Sequence, residues 1–205
     1  MQVTEKPTKQ RTEVRQASLI EAALHLAAQR SPADITTGDL AQAVGISQGA
    51  VFRHFSSKEA IWLAVLDWVT DALMARLQAA ATREPELAAL QAVFMAHVDF
   101  IVEQPGVPRV VFQELQSPGD TAPKARVRAL MQRYRQLLMQ LLRRAQAKQA
   151  IAPEIDLQAA AALFMGSVQG LVMQALLSGD VPAMAQQARG VFAIFQGGLV
   201  AKAAH

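Results

Sequence analysis

Residues 36–58 read TTGDLAQAVGISQGAVFRHFSSK, and this stretch decides how the amino-terminal part of the chain folds. Its periodicity predicts two short helices, Thr37 to Val44 and Gln48 to about Phe55, separated by Gly45. Leu40, Val44, Ile46, Val51 and Phe55 form an apolar side, Ala41 is small where the helices cross, and Gly45 can take the positive φ that ends the first helix. Ser47 is placed to cap the second. These are the requirements of a helix-turn-helix spanning about 36–55. The outward side of the second helix carries Gln48, Gly49, Ala50, Phe52, Arg53 and His54, a set that suits insertion into a major groove. Small residues admit close approach, Gln48 can pair with base edges, and Arg53 can reach guanine or phosphate. Thr36, Thr37, Lys58 and a basic arm carrying Arg11 and Arg15 are the expected phosphate contacts, helped by the positive ends of the capped helices. On spacing alone, an ordinary small helical domain with a glycine turn fits as well.

Outward from this stretch, every periodic segment is helical and strand signals are almost absent. A first helix is expected from about Glu13 to Arg30, ended by Ser31-Pro32. A long helix should open at Ser56 or Ser57 with the capping-box form Ser56-x-x-Glu59 and run through Leu77 to Ala81. Helices from Pro85 to about Pro105, Val107 to Leu115, Pro123 to Lys148, Leu157 to Ser178 and Pro182 to Ala203 follow, each bounded by proline or glycine. The fold class is all-α: an N-terminal three-helix helix-turn-helix domain, residues 1–72, and a C-terminal helical domain, residues 73–205, joined through the long helix.

Composition narrows the chemistry. The 205 residues are 52% hydrophobic and 18% charged with no cysteine, which points to a large dry interior or subunit interface and removes disulfides, thiolate nucleophiles and cysteine zinc sites. Four histidines without metal-ligand spacing, and no nucleophile or phosphate-loop pattern, predict neither metal nor catalytic residues nor cofactor, and so no enzyme. The polar start has no apolar leader, which predicts a cytoplasmic protein. The uncharged run between Asp156 and Asp180 reads as a buried interface helix in preference to a membrane span. From Lys124 to Lys148 there are eight basic residues and no acidic one; helical spacing places them along the borders of an apolar face, with their heads in water.

LIEAALHLAAQR, residues 19–30, followed by ITTGDLAQAVGISQGAVFRHFSSKEAIWLAVL, residues 35–66, resembles the DNA-binding domain of TetR-family transcriptional regulators. The resemblance runs from about Thr12 to Thr70. It implies a homodimeric repressor that docks two such domains on an inverted-repeat operator in double-stranded DNA, and a helical C-terminal domain that dimerises and binds a small-molecule effector. The family's DNA-contact roles fall on Thr37, Ser47, Gln48, Gly49, Ala50, Phe52, Arg53, His54 and Lys58. Phe52 departs from the family pattern, which commonly has a tyrosine there, so a phosphate bond through that hydroxyl is lost.

In the second half, Ala162, Gly166 and Gly170 recur at spacing four with Leu163 beside them, and Val191, Phe192, Phe195 and Leu199 make a stripe on the last helix. These are the expected dimer contacts, four helices from two chains forming a bundle. Burial within one chain is the competing reading. For the ligand, an apolar or aromatic inducer, the candidates are Phe94, His97, Val98, Ile101, Phe112, Leu115, Gln116, Tyr134, Leu138, Phe164 and Gln169, central residues that combine apolar walls with a few polar tips. A helical small-molecule-binding dimer that does not read DNA stays open as the alternative.

Overall fold

A computed structural model describes residues 7–200, with side chains described from residue 12 onward. Among the described residues all regular structure is helical, and the helices fall into two compact units. The first holds the described residues up to Thr70 together with Gln104–Arg128; the second holds Asp71–Glu103 and the described residues from Ala129 onward. Packing therefore draws 104–128 to the amino-terminal helices, although it lies far along the chain.

In the first unit α1 spans Pro7–Gln29, a single 3-10 turn spans Pro32–Asp34, and α2, α3 and α4 span Thr37–Ala43, Gln48–Val51 and Lys58–Ala80, the last continuing into the second unit. α1 starts well before the expected Glu13, because proline is at home in a helix's first turn and the polar residues after it are tolerated on an exposed helix. α4 opens differently from the expected capping box: Ser57, not Ser56, accepts the Ala60 N–H at 3.0 Å, which leaves an alanine where a reciprocal carboxylate would stand. α6, Val107–Gln116, lies against α1, and Leu19, Ala23, Ala27, Ile35, Leu40, Val51, Ile61 and Val65 form the fully buried core of this unit.

The second unit is built from the rest of α4, α5 (Glu86–Glu103), most of α7 (Ala122–Ala147), α8 (Leu157–Ser178) and α9 (Ala183–Leu199). The expected extension of α9 to Ala203 lies outside the described residues. α8 is capped by Asp156, whose carboxylate accepts the Gln158 and Ala159 N–H groups at 2.8 and 3.3 Å, and ended by Gly179 at φ 74°. α8 is long and apolar enough by composition to cross a bilayer, but its inner side is packed against α5 and α9. Where those helices meet, the Phe94 ring lies 5.2 Å from Phe164 and 5.5 Å from Phe192, and Phe164 lies 5.4 Å from Phe195, mostly edge to face.

The basic run on α7 is a solvated border, as expected, and several of its members also find partners. Arg126 pairs with Asp67 at 3.2 Å, Arg133 with Asp71 at 3.8 Å, Lys148 with Glu86 at 2.5 Å, and Arg128 with Asp120. Arg144 donates to the Ala81 carbonyl at 3.2 Å and Arg135 to the Gln158 side chain at 2.6 Å. Exposed pairs of this kind each add little stability, about 0–1 kcal/mol. Carboxylates thus pair with four of the eight basic residues, Arg126, Arg128, Arg133 and Lys148.

Candidate nucleic-acid interface

The two short helices are fixed by bonds that close within a few residues. Thr36 and Asp39 form a reciprocal capping box: the Thr36 hydroxyl accepts the Asp39 N–H at 3.1 Å, and the Asp39 carboxylate accepts the Thr36 N–H at 2.7 Å. The Thr36 N–H first, then the Thr36 hydroxyl, which donates to the same carboxylate at 2.7 Å, and Arg30 at 3.0 Å hold the Asp39 carboxyl at about 2. At the other end of α2, Gly45 has φ 67°, its N–H bonds the Gln42 carbonyl at 3.2 Å, and the Ile46 N–H bonds the Ala41 carbonyl at 2.9 Å, the double closure of a Schellman turn. The Ser47 hydroxyl then caps α3 by accepting the Ala50 N–H at 3.2 Å. α3 itself is shorter than expected, ending at Val51; the Arg53 and His54 N–H groups bond the Ala50 and Val51 carbonyls, a tighter winding that brings Phe55 inward.

The exposed face of this segment consists of Ser47, Gln48, Gly49, Phe52 and Arg53, with Ala50 half-buried. Phe52 is 49% exposed, a large apolar side chain left on the surface beside a glycine whose Cα faces open space. Gln48 donates from Nε2 to the Thr37 hydroxyl oxygen at 2.8 Å, which ties the first residue of α3 to the first residue of α2.

Several expected DNA contacts have structural duties here. Thr36 and Ser47 use their hydroxyls as caps. Lys58 donates one ammonium N–H to the Ala33 carbonyl at 3.0 Å and keeps two, and Arg15 reaches back to the Val44 carbonyl at 3.3 Å, which leaves other guanidinium N–H groups to face outward. His54 is half-buried, and its Nδ1 is enclosed without a hydrogen-bond partner, so that atom is not presented to solvent. The Arg11 side chain lies outside the described residues. Sequence reasoning missed Gln16, whose amide donates to the His54 carbonyl at 2.9 Å and, with Arg15, makes α1 a clamp on both ends of the motif.

The family pattern described as bacterial regulatory proteins, tetR family, matches residues 19–65, and the tetracyclin repressor-like C-terminal domain matches residues 116–191. The chain belongs to the TetR family. As a TetR-family transcription regulator it has a helix-turn-helix DNA-binding domain and a C-terminal ligand-binding domain. The nucleoid occlusion factor SlmA of Vibrio vulnificus is 27% identical over 158 residues, 76% of this chain and 81% of that protein. The ketosteroid transcriptional regulator KstR2 of Mycobacterium tuberculosis has the same fold, with a TM-score of 0.73 at 20% identity over 98% of both chains. So does FadR of Bacillus subtilis, solved with stearoyl-CoA, with a TM-score of 0.78 at 15% identity over 89% of this chain and 98% of that one.

In this TetR-family chain the expected ligand residues divide between the two units. Phe112, Leu115 and Gln116 belong to the first unit, and Leu115 and Gln116 are exposed. The other candidates belong to the second unit, where Phe94, Val98, Ile101, Tyr134, Leu138 and Phe164 are buried and Gln169 is exposed on α8. His97 and Tyr134 share a hydrogen bond of 3.2 Å between Nδ1 and the hydroxyl, and desolvation pushes His97 down to about 4 and Tyr134 upward. The sign follows directly. A histidine held neutral in the fold adds stability above its unfolded value of about 6.5, and that stability is lost as pH falls toward 4. Thermal denaturation between pH 6.5 and 4 is therefore expected to show a loss of roughly 1 kcal/mol per pH unit from this proton alone, a slope that His97→Gln removes. An unchanged slope in the variant refutes the assignment.

Sequence reasoning also missed an open groove of about 1020 Å³ between the end of α4, α5 and α9, lined by Ala79, Ala88, Ala92, Ala96, Arg83 and Arg189 among others. Alanines at every fourth position of α5, Ala88, Ala92 and Ala96, were the available signal.

The expected dimer residues divide by helix. Ala162, Leu163, Gly166 and Gly170 are exposed on α8, as an interface requires. Phe192, Phe195 and Leu199 are buried inside their own chain and Val191 is half-buried, because the apolar stripe of α9 packs on Phe94 and Phe164. The outer face of α9 is instead Ile194, 80% exposed, with Gly190, Gly197 and Gly198.

Proposed function

We propose that the chain is a cytoplasmic homodimeric repressor that binds an inverted-repeat operator and is released by a small apolar or aromatic effector, with residues 1–72 reading DNA and residues 73–205 taking the effector and the partner. The observation that carries this reading is the exposed face of Gln48, Gly49, Phe52 and Arg53, mounted on a turn closed by the Gly45 and Ile46 N–H groups and capped by Ser47. The outer faces of α8 and α9 support the dimer: Leu163, Leu177 and Ile194 are 59, 74 and 80% exposed, an apolar area that a second copy would cover. Solved relatives named for ketosteroids and stearoyl-CoA favour a mostly apolar effector. α4 is continuous from Lys58 in one unit to Ala80 in the other, so a tilt of α4 on effector binding would change the separation of the two reading heads. Half-sites lie roughly 34–36 Å apart, one helical turn, and a small rotation suffices to lose one of them.

Selection from random duplexes by the full-length chain tests the reading. Enrichment of a palindrome is expected, together with a dimeric mass in solution. Ile194→Asp on α9 should give monomers that lose the palindrome, since a carboxylate buried at a two-fold axis meets its own copy. No enrichment at low salt supports the alternative, a small-molecule-binding dimer that does not read DNA.

A further inference from the structure

The bond between Gln48 and Thr37 bears on which base is read. A glutamine amide has two N–H donors and one carbonyl oxygen, and when free it can turn both donors, or a donor and the acceptor, toward a base pair. Here Nε2 already gives one hydrogen to the Thr37 hydroxyl oxygen at 2.8 Å. What is left to face a ligand is one N–H and one carbonyl, which stand side by side when the hydrogen given to Thr37 is the one turned away from the carbonyl. In the major groove guanine shows two acceptors, N7 and O6, and cannot use that carbonyl; adenine shows an acceptor, N7, beside a donor, the N6 amino group, and matches it atom for atom. Gln48 is exposed, Gly49 next to it has open space where a side chain would stand, and Thr37 is held by the capping box that starts α2. The tether therefore rests on a fixed post, and nothing local blocks a base edge from approaching.

We propose that Gln48 reads an adenine in each half-site and that Thr37 is the positioning residue which, by occupying one amide N–H, excludes guanine there. The inference rests on the DNA-binding reading above and adds to it the identity of one base and the side chain that enforces it. Thr37, expected from sequence as a phosphate contact, acts here through Gln48.

The test is a base-preference profile measured by selection from random duplexes with the full-length protein, its Gln48→Ala, Thr37→Val and Thr37→Ser variants, and thermal melts of each. The position assigned to Gln48 is the one at which Gln48→Ala relaxes the preference. The parent is expected to favour adenine there by about 10- to 100-fold, the discrimination of one bidentate contact. Thr37→Val should admit guanine at that position alone, a change of base preference separate from the salt dependence, which reports phosphate contacts. Thr37→Ser, which keeps the hydroxyl, should restore the parent's profile. A parent that selects guanine or a pyrimidine at that position, a Gln48→Ala profile identical to the parent's, or a Thr37→Val profile identical to the parent's overturns the inference while leaving the regulator reading intact. Absence of any enriched palindrome overturns the regulator reading itself.

Discussion

Gly106→Ala is expected to destabilise the first unit by about 3 kcal/mol or more and to abolish operator binding at temperatures where the parent binds. Gly106 precedes α6 and sits directly on the backbone of α1: a methyl group there would stand 2.0 Å from the Leu24 carbonyl oxygen and 3.1 Å from the Ala28 nitrogen. Those atoms belong to a continuous helix and cannot swing aside as a flexible side chain could, so α1 and α6 must separate. Separation has a further effect, because α6 also holds the turn before α2. The Gln113 side-chain oxygen accepts the Ala33 N–H at 2.9 Å, while the Ala33 carbonyl accepts from Lys58. Moving α6 therefore loosens the turn from which Thr36 and Thr37 project. Gly49→Ala is the control: its added methyl meets nothing within 4 Å, so stability should hold while close approach to DNA suffers. Circular dichroism melts of the two variants, with operator titrations, separate the cases; a Gly106→Ala protein that melts with the parent contradicts the packing described.

The difference between what was and was not legible in the sequence follows the range of the interactions. The helix-turn-helix was readable because each device that builds it closes within a few residues: the Gly45 turn, the Ser47 cap, the alternation of Leu40, Val51 and Phe55 inward with Gln48 and Arg53 outward. The Gln113 to Ala33 bond joins residues 80 apart, and no local pattern announces it or the contact at Gly106. The added duties of the basic side chains were hidden for a related reason. Sequence shows that Lys58 and Arg15 are long and charged, but not that a backbone carbonyl, Ala33 or Val44, lies within their reach. On α9 the helical period correctly marked one apolar face at Phe192, Phe195 and Leu199. A period cannot say whether the surface opposite belongs to the same chain, and Phe94 and Phe164 fill that place. On the outer face three glycines leave Ile194 as a single large apolar side chain, 80% exposed, with no apolar row around it to mark a face.

Phe164→Ala is expected to cost the second unit about 3–5 kcal/mol, the range for truncating a fully buried aromatic side chain. For a chain of this size that corresponds to a fall in melting temperature of about 10 °C. Phe164 is fully buried and its ring meets four others: Phe94 at 5.2 Å, Phe195 at 5.4 Å, Tyr134 at 6.4 Å and Phe192 at 6.5 Å. Removing it takes the shared partner from all of them at once. The void borders the rings of Phe94, Phe192, Phe195 and Tyr134, and the Tyr134 hydroxyl is already bonded to His97, so it should stay dry and accept a small apolar molecule. Benzene should accordingly raise the melting temperature of the variant and not of the parent. The same variant locates the effector. If effector release of the operator depends on this cluster, Phe164→Ala changes the effector concentration needed, whereas Ala92→Leu, which narrows the groove between α4, α5 and α9, leaves it alone. The reverse pattern assigns the effector to the groove, where Arg83 and Arg189 would favour an anionic end on an otherwise apolar molecule. A Phe164→Ala protein as stable as the parent contradicts the burial on which both arguments stand.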